Sequence, residues 1–288
     1  MKNKYKKIVI LAESGSDLPQ ELAQKYDIVI VPMHVMFDGH NYDDATFSVS
    51  QIIDYYHQTK KIPTTSATNV GEYMEAYQKI HQKYPQSLIL HLCYSAVTTA
   101  TFQNAHIASE GLDYVCHIDT KFVSGGQSMI ILKVAQYIQM HPQVELDDLK
   151  AYTYKVIERT HMCFLPHQLD FLKAGGRVSN AAYLGANVLG LKPLIEIIDG
   201  KLVATQKYRG RNMKRIYQRM IDDFLLPYDY DLDDIILLYS YGIDEDILQN
   251  NKAIIEEMGF QNIYLVQAGG VITTHSGPAG FGIIFYEN

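Results

Sequence analysis

Four short apolar runs, each followed by a turn and a helical pattern, do most to limit what the first half of this chain can become. They occupy residues 8–11, 28–35, 88–93 and 115–118. Runs this short, with no polar alternation, read as strands buried on both faces, as in a parallel sheet covered by helices on each side. Helical patterns follow near Pro19, which Ser16 or Asp17 is placed to cap, then near Val70 and after Gly125-Gly126. Asp17 reads as a plain cap, and the glycine pair as helix packing. A polar helix over 146–159 bridges to a second set of elements. That set holds strands near 161–165, 235–239, 262–266 and 281–286, helices near 213–220 and 244–258, and one hairpin. The expected class is therefore α/β in two domains. A parallel-sheet α/β/α domain spans 1–158 and a smaller mixed-sheet α/β domain spans 159–288.

Residues 169–208 carry the most information about function. A short amphipathic helix with Leu169 and Leu172 meets Gly175-Gly176, and Arg177 follows at once. Ser179 and Asn180 can cap a second helix of small residues, which Pro193 stops after Lys192. Two apolar strands then flank Asp199-Gly200, a pair suited to the positive φ angles of a tight hairpin. Glycines so placed let backbone approach backbone or ligand.

Composition removes several classes of function. Formal charge is 25 − 32 = −7, with no basic block beyond the first residues, so nucleic acid is not expected as a partner. Cys93, Cys116 and Cys163 lie scattered in or beside apolar runs and read as buried, reduced thiols, with no metal ligand assigned among them. Glu13 and Asp17 interrupt the only apolar stretch near the start, and no run approaches the ~20 residues of a membrane span. The expected location is cytoplasmic, without stable membrane insertion. No G-x-S-x-G elbow, H-E-x-x-H helix, C-x-x-C pair, nucleotide loop or dinucleotide fingerprint occurs. The chain offers instead hydroxyls at 64–66 and 95–101, a late histidine, His275, and glycine turns. Where two domains meet, such a set can hold a carboxylate with no metal or cofactor.

Leu172-Lys173-Ala174-Gly175-Gly176-Arg177-Val178-Ser179 resembles the most telling signature of the DegV family of fatty-acid-binding proteins. Leu191-Lys192-Pro193-Leu194, Asp199-Gly200 and the closing His275-Ser276-Gly277-Pro278 fall where that family has them. The resemblance runs from about residue 10 to residue 282. It implies a fold similar to dihydroxyacetone kinase substrate subunits, and a long-chain fatty acid, of the palmitate or oleate class, held between the domains. Thr65 and Ser66 fall on one jaw of the carboxylate site. Ser95 is the first choice for the other jaw, with Thr98 and Thr99 in reserve because Ala96 replaces the family's second serine; His275 completes the set. Arg177, with Gly175 and Gly176, is expected at the head-group rim or facing a partner. The resemblance further implies a non-catalytic carrier, free of cofactor, that presents its acid to a separate ATP-dependent fatty acid kinase making acyl phosphate for phospholipid synthesis. The alternative is a dihydroxyacetone-kinase-like enzyme using His275 in phosphoryl transfer or hydrolysis on a small substrate.

Overall fold

The computed structural model describes residues 5–179 and 191–288. In chain order the first half runs β1 (Lys7–Glu13), α1 (Gln20–Lys25), β2 (Val29–Val31), β3 (His34–Phe37), β4 (His40–Asp43), α2 (Ser50–Thr59) and β5 (Thr64–Ser66). It continues through α3 (Val70–Lys83), β6 (Ser87–Cys93), α4 (Thr101–Ala108), β7 (Val115–Asp119), α5 (Ser124–Met140) and α6 (Leu146–Arg159). The second half runs β8 (Thr160–Leu165), α7 (Asp170–Gly175), β9 (Leu191–Ile198), β10 (Lys201–Arg209) and α8 (Met213–Leu225). It closes with β11 (Tyr230–Tyr239), α9 (Glu245–Glu257), β12 (Asn262–Gln267), α10 (Gly270–Ser276) and β13 (Phe281–Glu287).

Among the described residues these strands make three sheets. Strands β2-β1-β6-β7 form a parallel sheet, as the buried runs require, and β4-β3-β5 form a small antiparallel one. The second half contributes a mixed six-stranded sheet in the order β10-β9-β8-β13-β11-β12. The apolar run over 28–35 is not one strand. Pro32, which has no N–H for a ladder, separates β2 in the parallel sheet from β3 in the antiparallel one. Thr65 and Ser66 lie in β5, which pairs Thr65 with Val35.

Helix α5 explains how the two halves cohere. Its residues 124–135 are all buried, because one side packs on the parallel sheet and the other on the six-stranded sheet. Ile10, Leu90 and Leu92 below it, and Ile236 and Ile284 above it, share one apolar cluster with its Met129, Ile130 and Val134. Each such side chain contributes roughly 1.5–3 kcal/mol by leaving water. A Cβ on Gly125 would come within 2.7 Å of Ile284 Cδ1, so the glycine pair serves close packing of helix on sheet. The far face of the parallel sheet is covered by α3 and α4. The far face of the six-stranded sheet is covered by α8 and α9.

Three local expectations need correction. Neither Ser16 nor Asp17 caps α1; Pro19 occupies that position without a side-chain bond, because Asp17 turns inward. Lys192 and Pro193 do not end a helix but lie in β9, where Pro193 faces Lys207 and β8 reaches only Ile195 and Glu196. The helix expected from Asn180 onward lies outside the described residues. The hairpin at Asp199-Gly200 forms as expected, with φ of 47° and 79°. No helix among the described residues is long and apolar enough to cross a membrane.

Candidate functional site

A cavity opens between the parallel sheet's carboxyl end and the six-stranded sheet, where elements from the whole chain converge. Its empty space, mouth included, is about 870 Å³. Apolar side chains from five elements line much of it, among them Met162, Phe164, Leu172, Leu202, Leu238 and Val271. Thr65, Ser66, Thr98, Thr99, Arg177 and His275 face the same space.

The position of His275 is built from afar. It sits in the last turn of α10, a helix whose first N–H groups meet two carboxylates from the other half of the chain. Asp17 Oδ1 accepts from Gly269 N at 2.8 Å. Asp44 Oδ1 accepts from Gly270 N at 2.9 Å and from Val271 N at 3.3 Å. The positive end of a helix favours negative charge there. Ser124 Oγ donates to Asp17 Oδ2, and Ser14 Oγ to Asp44 Oδ2. Enclosure nevertheless raises Asp17 to about 8, the neighbouring Asp44 adding to the effect.

That shift has a consequence for stability. The folded value lies above the ordinary 3.8, so Asp17's contribution is complete below about pH 4 and is lost as pH rises through 8. Asp17→Asn keeps an acceptor for Gly269 N and removes the charge. It should flatten the slope and gain a few kcal/mol over the native chain at pH 8. Melting temperatures of both proteins at pH 5, 6.5 and 8 check this; two parallel profiles would show that Asp17 ionises without strain.

His275 Nε2 lies 2.8 Å from Thr65 Oγ1, while its Nδ1 is buried without a partner among the described residues. An unpaired lone pair costs less than an unpaired N–H. The favoured tautomer therefore donates from Nε2 to Thr65 and leaves the threonine proton free to point into the cavity. The ring keeps some exposure because it faces the cavity, yet protein surrounds it closely. Burial, with the Arg177 charge added, pushes it down to about 4, so it is neutral near pH 7.

Both glycines ahead of Arg177 follow from this geometry. A Cβ on Gly175 would lie 2.4 Å from His275 Nδ1, and Gly176 ends α7 in the left-handed region with φ 61°. Arg177 is exposed at the cavity mouth. Its Nε donates to Thr98 O at 3.1 Å and one terminal nitrogen donates to Gly175 O at 2.6 Å, which leaves the rest of the guanidinium fork free of side-chain partners among the described residues.

The expected hydroxyls separate into two groups. Ser95, ranked first in the sequence, is fully buried and donates to Gly200 O at 2.7 Å. It anchors the β9–β10 hairpin tip and does not line the cavity. Thr98 donates to Ser95 O. Thr99 Oγ1 accepts from Thr101 Oγ1 and Thr101 N, which leaves its own proton to give. Capping of α3 falls to Asn69, in a reciprocal pair with Glu72, so Thr65 and Ser66 are not needed as caps. Apart from Leu172, nothing in the sequence marks the apolar lining residues or Tyr94. They come from separate elements with no common spacing.

A family model described as uncharacterised protein, DegV family, matches residues 7–288. The chain belongs to the DegV family. A DegV domain-containing protein of Caldanaerobacter subterraneus is 27% identical over 284 residues, covering 98% of this chain and 99% of that one. Among solved structures, a DegV family protein from Thermus thermophilus, described by its fatty acid binding, superposes with a TM-score of 0.88 at 24% identity, over 98% of this chain and 100% of that one. A stearic-acid-binding protein from Eubacterium ventriosum gives 0.80 at 21% identity, over 98% of each chain. These likenesses establish the α/β DegV fold, with its parallel-sheet and mixed-sheet halves.

Proposed function

We propose that this DegV protein is a non-catalytic carrier for one long-chain fatty acid of the palmitate or oleate class. The observation that carries the reading is the shared space. Alkyl-bearing walls and the Thr65–His275 pair face one cavity. A carboxylate cannot leave water without donors. Thr65, Ser66 and Thr99 supply O–H groups, with Thr98 beside them, and Arg177 supplies charge at the mouth. His275 acts through Thr65, fixing its hydroxyl so that the proton points at the ligand. The tail provides the driving force: ~14 methylenes at about 0.8 kcal/mol each give roughly 11 kcal/mol gross. Ordering and lost translational freedom offset much of this. The relatives described as binding fatty acids support the same reading.

The head-group end lies beside exposed Arg177 and Gly176, so the carboxylate is close to the surface. This favours presentation of the acid to a separate ATP-dependent fatty acid kinase, yielding acyl phosphate. Alkyl walls in the same space as His275 favour this ligand over the small ketone of a dihydroxyacetone-kinase-like enzyme.

Displacement of a fluorescent fatty acid tests the reading. Palmitate should compete and methyl palmitate should compete far less. Thr65→Val should weaken palmitate by roughly tenfold or more, the worth of one hydrogen bond to a charged group, and leave the ester unchanged. Equal loss for acid and ester would remove Thr65 from the head-group site. With a kinase subunit and ATP, the loaded protein should give acyl phosphate trappable by hydroxylamine; none would sink the presentation step. A bound carboxylate should also raise the His275 pKa above its unliganded value of about 4. An NMR titration with and without palmitate reads this directly, and coincident curves would place the carboxylate elsewhere.

A further inference from the structure

A second cluster of chemically capable side chains lies on the opposite face of the parallel sheet, under α3 and α4. His91 on β6 stands directly across from His117 on β7, and Cys93, two residues after His91, shares their face. The two Nδ1 atoms are 3.1 Å apart, Cys93 Sγ is 3.8 Å from His117 Nδ1, and all three ligand atoms lie within 4.8 Å of one another. A tetrahedral zinc ion with bonds of about 2.0–2.1 Å to nitrogen and about 2.3 Å to sulfur needs N···N near 3.3 Å and N···S near 3.6 Å. The nitrogen pair and the sulfur–His117 pair already stand near those separations, and the sulfur lies within 4.8 Å of His91.

The outer partners sharpen the argument. His91 Nε2 is 2.8 Å from Glu13 Oε1, a carboxylate that accepts. His117 Nε2 is 2.8 Å from Ser109 Oγ, whose own proton goes to His106 O at 3.1 Å. Each ring therefore carries its proton on the outer nitrogen. With both rings neutral, two Nδ1 lone pairs face each other at 3.1 Å beside a buried sulfur. A cation placed between them would be received by both nitrogens and by the sulfur. Imidazoles fixed from behind by a carboxylate and a hydroxyl, with their inner nitrogens converging, have the second shell of a metal site.

We propose that His91, Cys93 and His117 bind a late first-row transition cation, zinc(II) foremost, at a site separate from the acyl channel. A thiolate with two imidazoles suits this class of ion. Tyr77 Oη, 3.4 Å from His91 Nδ1, stands beside the remaining coordination position. Binding displaces the Cys93 thiol proton, which leaves to solvent. Zinc(II) with one thiolate leaves a net charge of +1, which the Glu13 carboxylate behind His91 offsets. Entry is from the sheet edge: β7 is an outer strand, His117 is half-buried, and exposed His106 lies over it with ring centres 4.4 Å apart. No spacing motif announces such a site, since its ligands come from neighbouring strands.

The test uses the full chain after chelator treatment. Zinc(II) titrated against a chromophoric chelator should bind at one equivalent, and cobalt(II) should give a thiolate-to-metal charge-transfer band. Cys93→Ala and His117→Gln should each weaken zinc at least roughly tenfold and abolish the cobalt band, whereas Cys163→Ala should not. His117→Gln keeps the test open should Cys93→Ala fail to fold, because His117 lies at the sheet edge. No stoichiometric zinc, no thiolate band, or unchanged affinity in His117→Gln would overturn the site. Stoichiometric copper(I) binding without zinc or cobalt would overturn the zinc assignment.

Discussion

Replacing Ala268 by phenylalanine is expected to abolish long-chain fatty acid binding while leaving the protein folded. Ala268 is buried and its small side chain faces the acyl channel. A ring at that position occupies the void. Denying the tail about four methylenes costs roughly 3 kcal/mol at ~0.8 kcal/mol each, which is at least about a hundredfold in affinity. Overpacking at such a site costs about 1–3 kcal/mol, so the melting temperature should fall by a few degrees and the protein should remain folded. Equilibrium titration with a fluorescent long-chain acid gives the number. An octanoate-length competitor should lose far less than a palmitate-length one. Native affinity for the long acid in Ala268→Phe would mean that the tail lies elsewhere.

Glu13→Ala is expected to produce the largest loss of stability. Its carboxylate is fully buried at the end of β1 and receives four donors. Tyr73 Oη at 2.6 Å and His91 Nε2 at 2.8 Å meet one oxygen; Tyr94 N and Gln127 Nε2, each at 2.9 Å, meet the other. Burial alone would raise this group. His91 beside it, with the Tyr73 and Gln127 donors, outweighs that and holds Glu13 down to about 2. Removing one partner of such a network leaves buried polar groups uncompensated, at about 3–5 kcal/mol, or a melting point lower by roughly 10 °C. Because the folded value lies below the ordinary 4.5, this stabilisation is present above pH 4.5 and is lost as pH falls toward 2. Urea denaturation at pH 7 and at pH 3.5 reads both effects. A Glu13→Ala midpoint equal to the native one at pH 7 would show that the network contributes nothing net.

Much of this architecture is visible in the chain itself, and the exceptions share a cause. Strands β1, β6 and β7 are legible because burial on both faces leaves uninterrupted apolar runs, and Asp199-Gly200 because two consecutive positive φ angles favour few residue pairs. Helix α10 is not legible. Its first N–H groups are received by Asp17 and Asp44, more than two hundred residues away, so no local cap marks it. Ser95 sits at the carboxyl end of a strand, where a ligand is expected, but the hairpin tip reaches it first. Thr65 and His275 could be named from their surroundings in the sequence; their 2.8 Å contact could not. The channel walls have no periodicity because each element contributes only a few residues.

Native mass spectrometry bears most directly on the carrier itself. Protein purified without detergent, then delipidated and offered an equimolar mixture of palmitate and oleate, should shift in mass by a single long-chain acid, and Ala268→Phe should not. A native chain that carries no acyl chain after purification and takes up none from the mixture would contradict the account at its root.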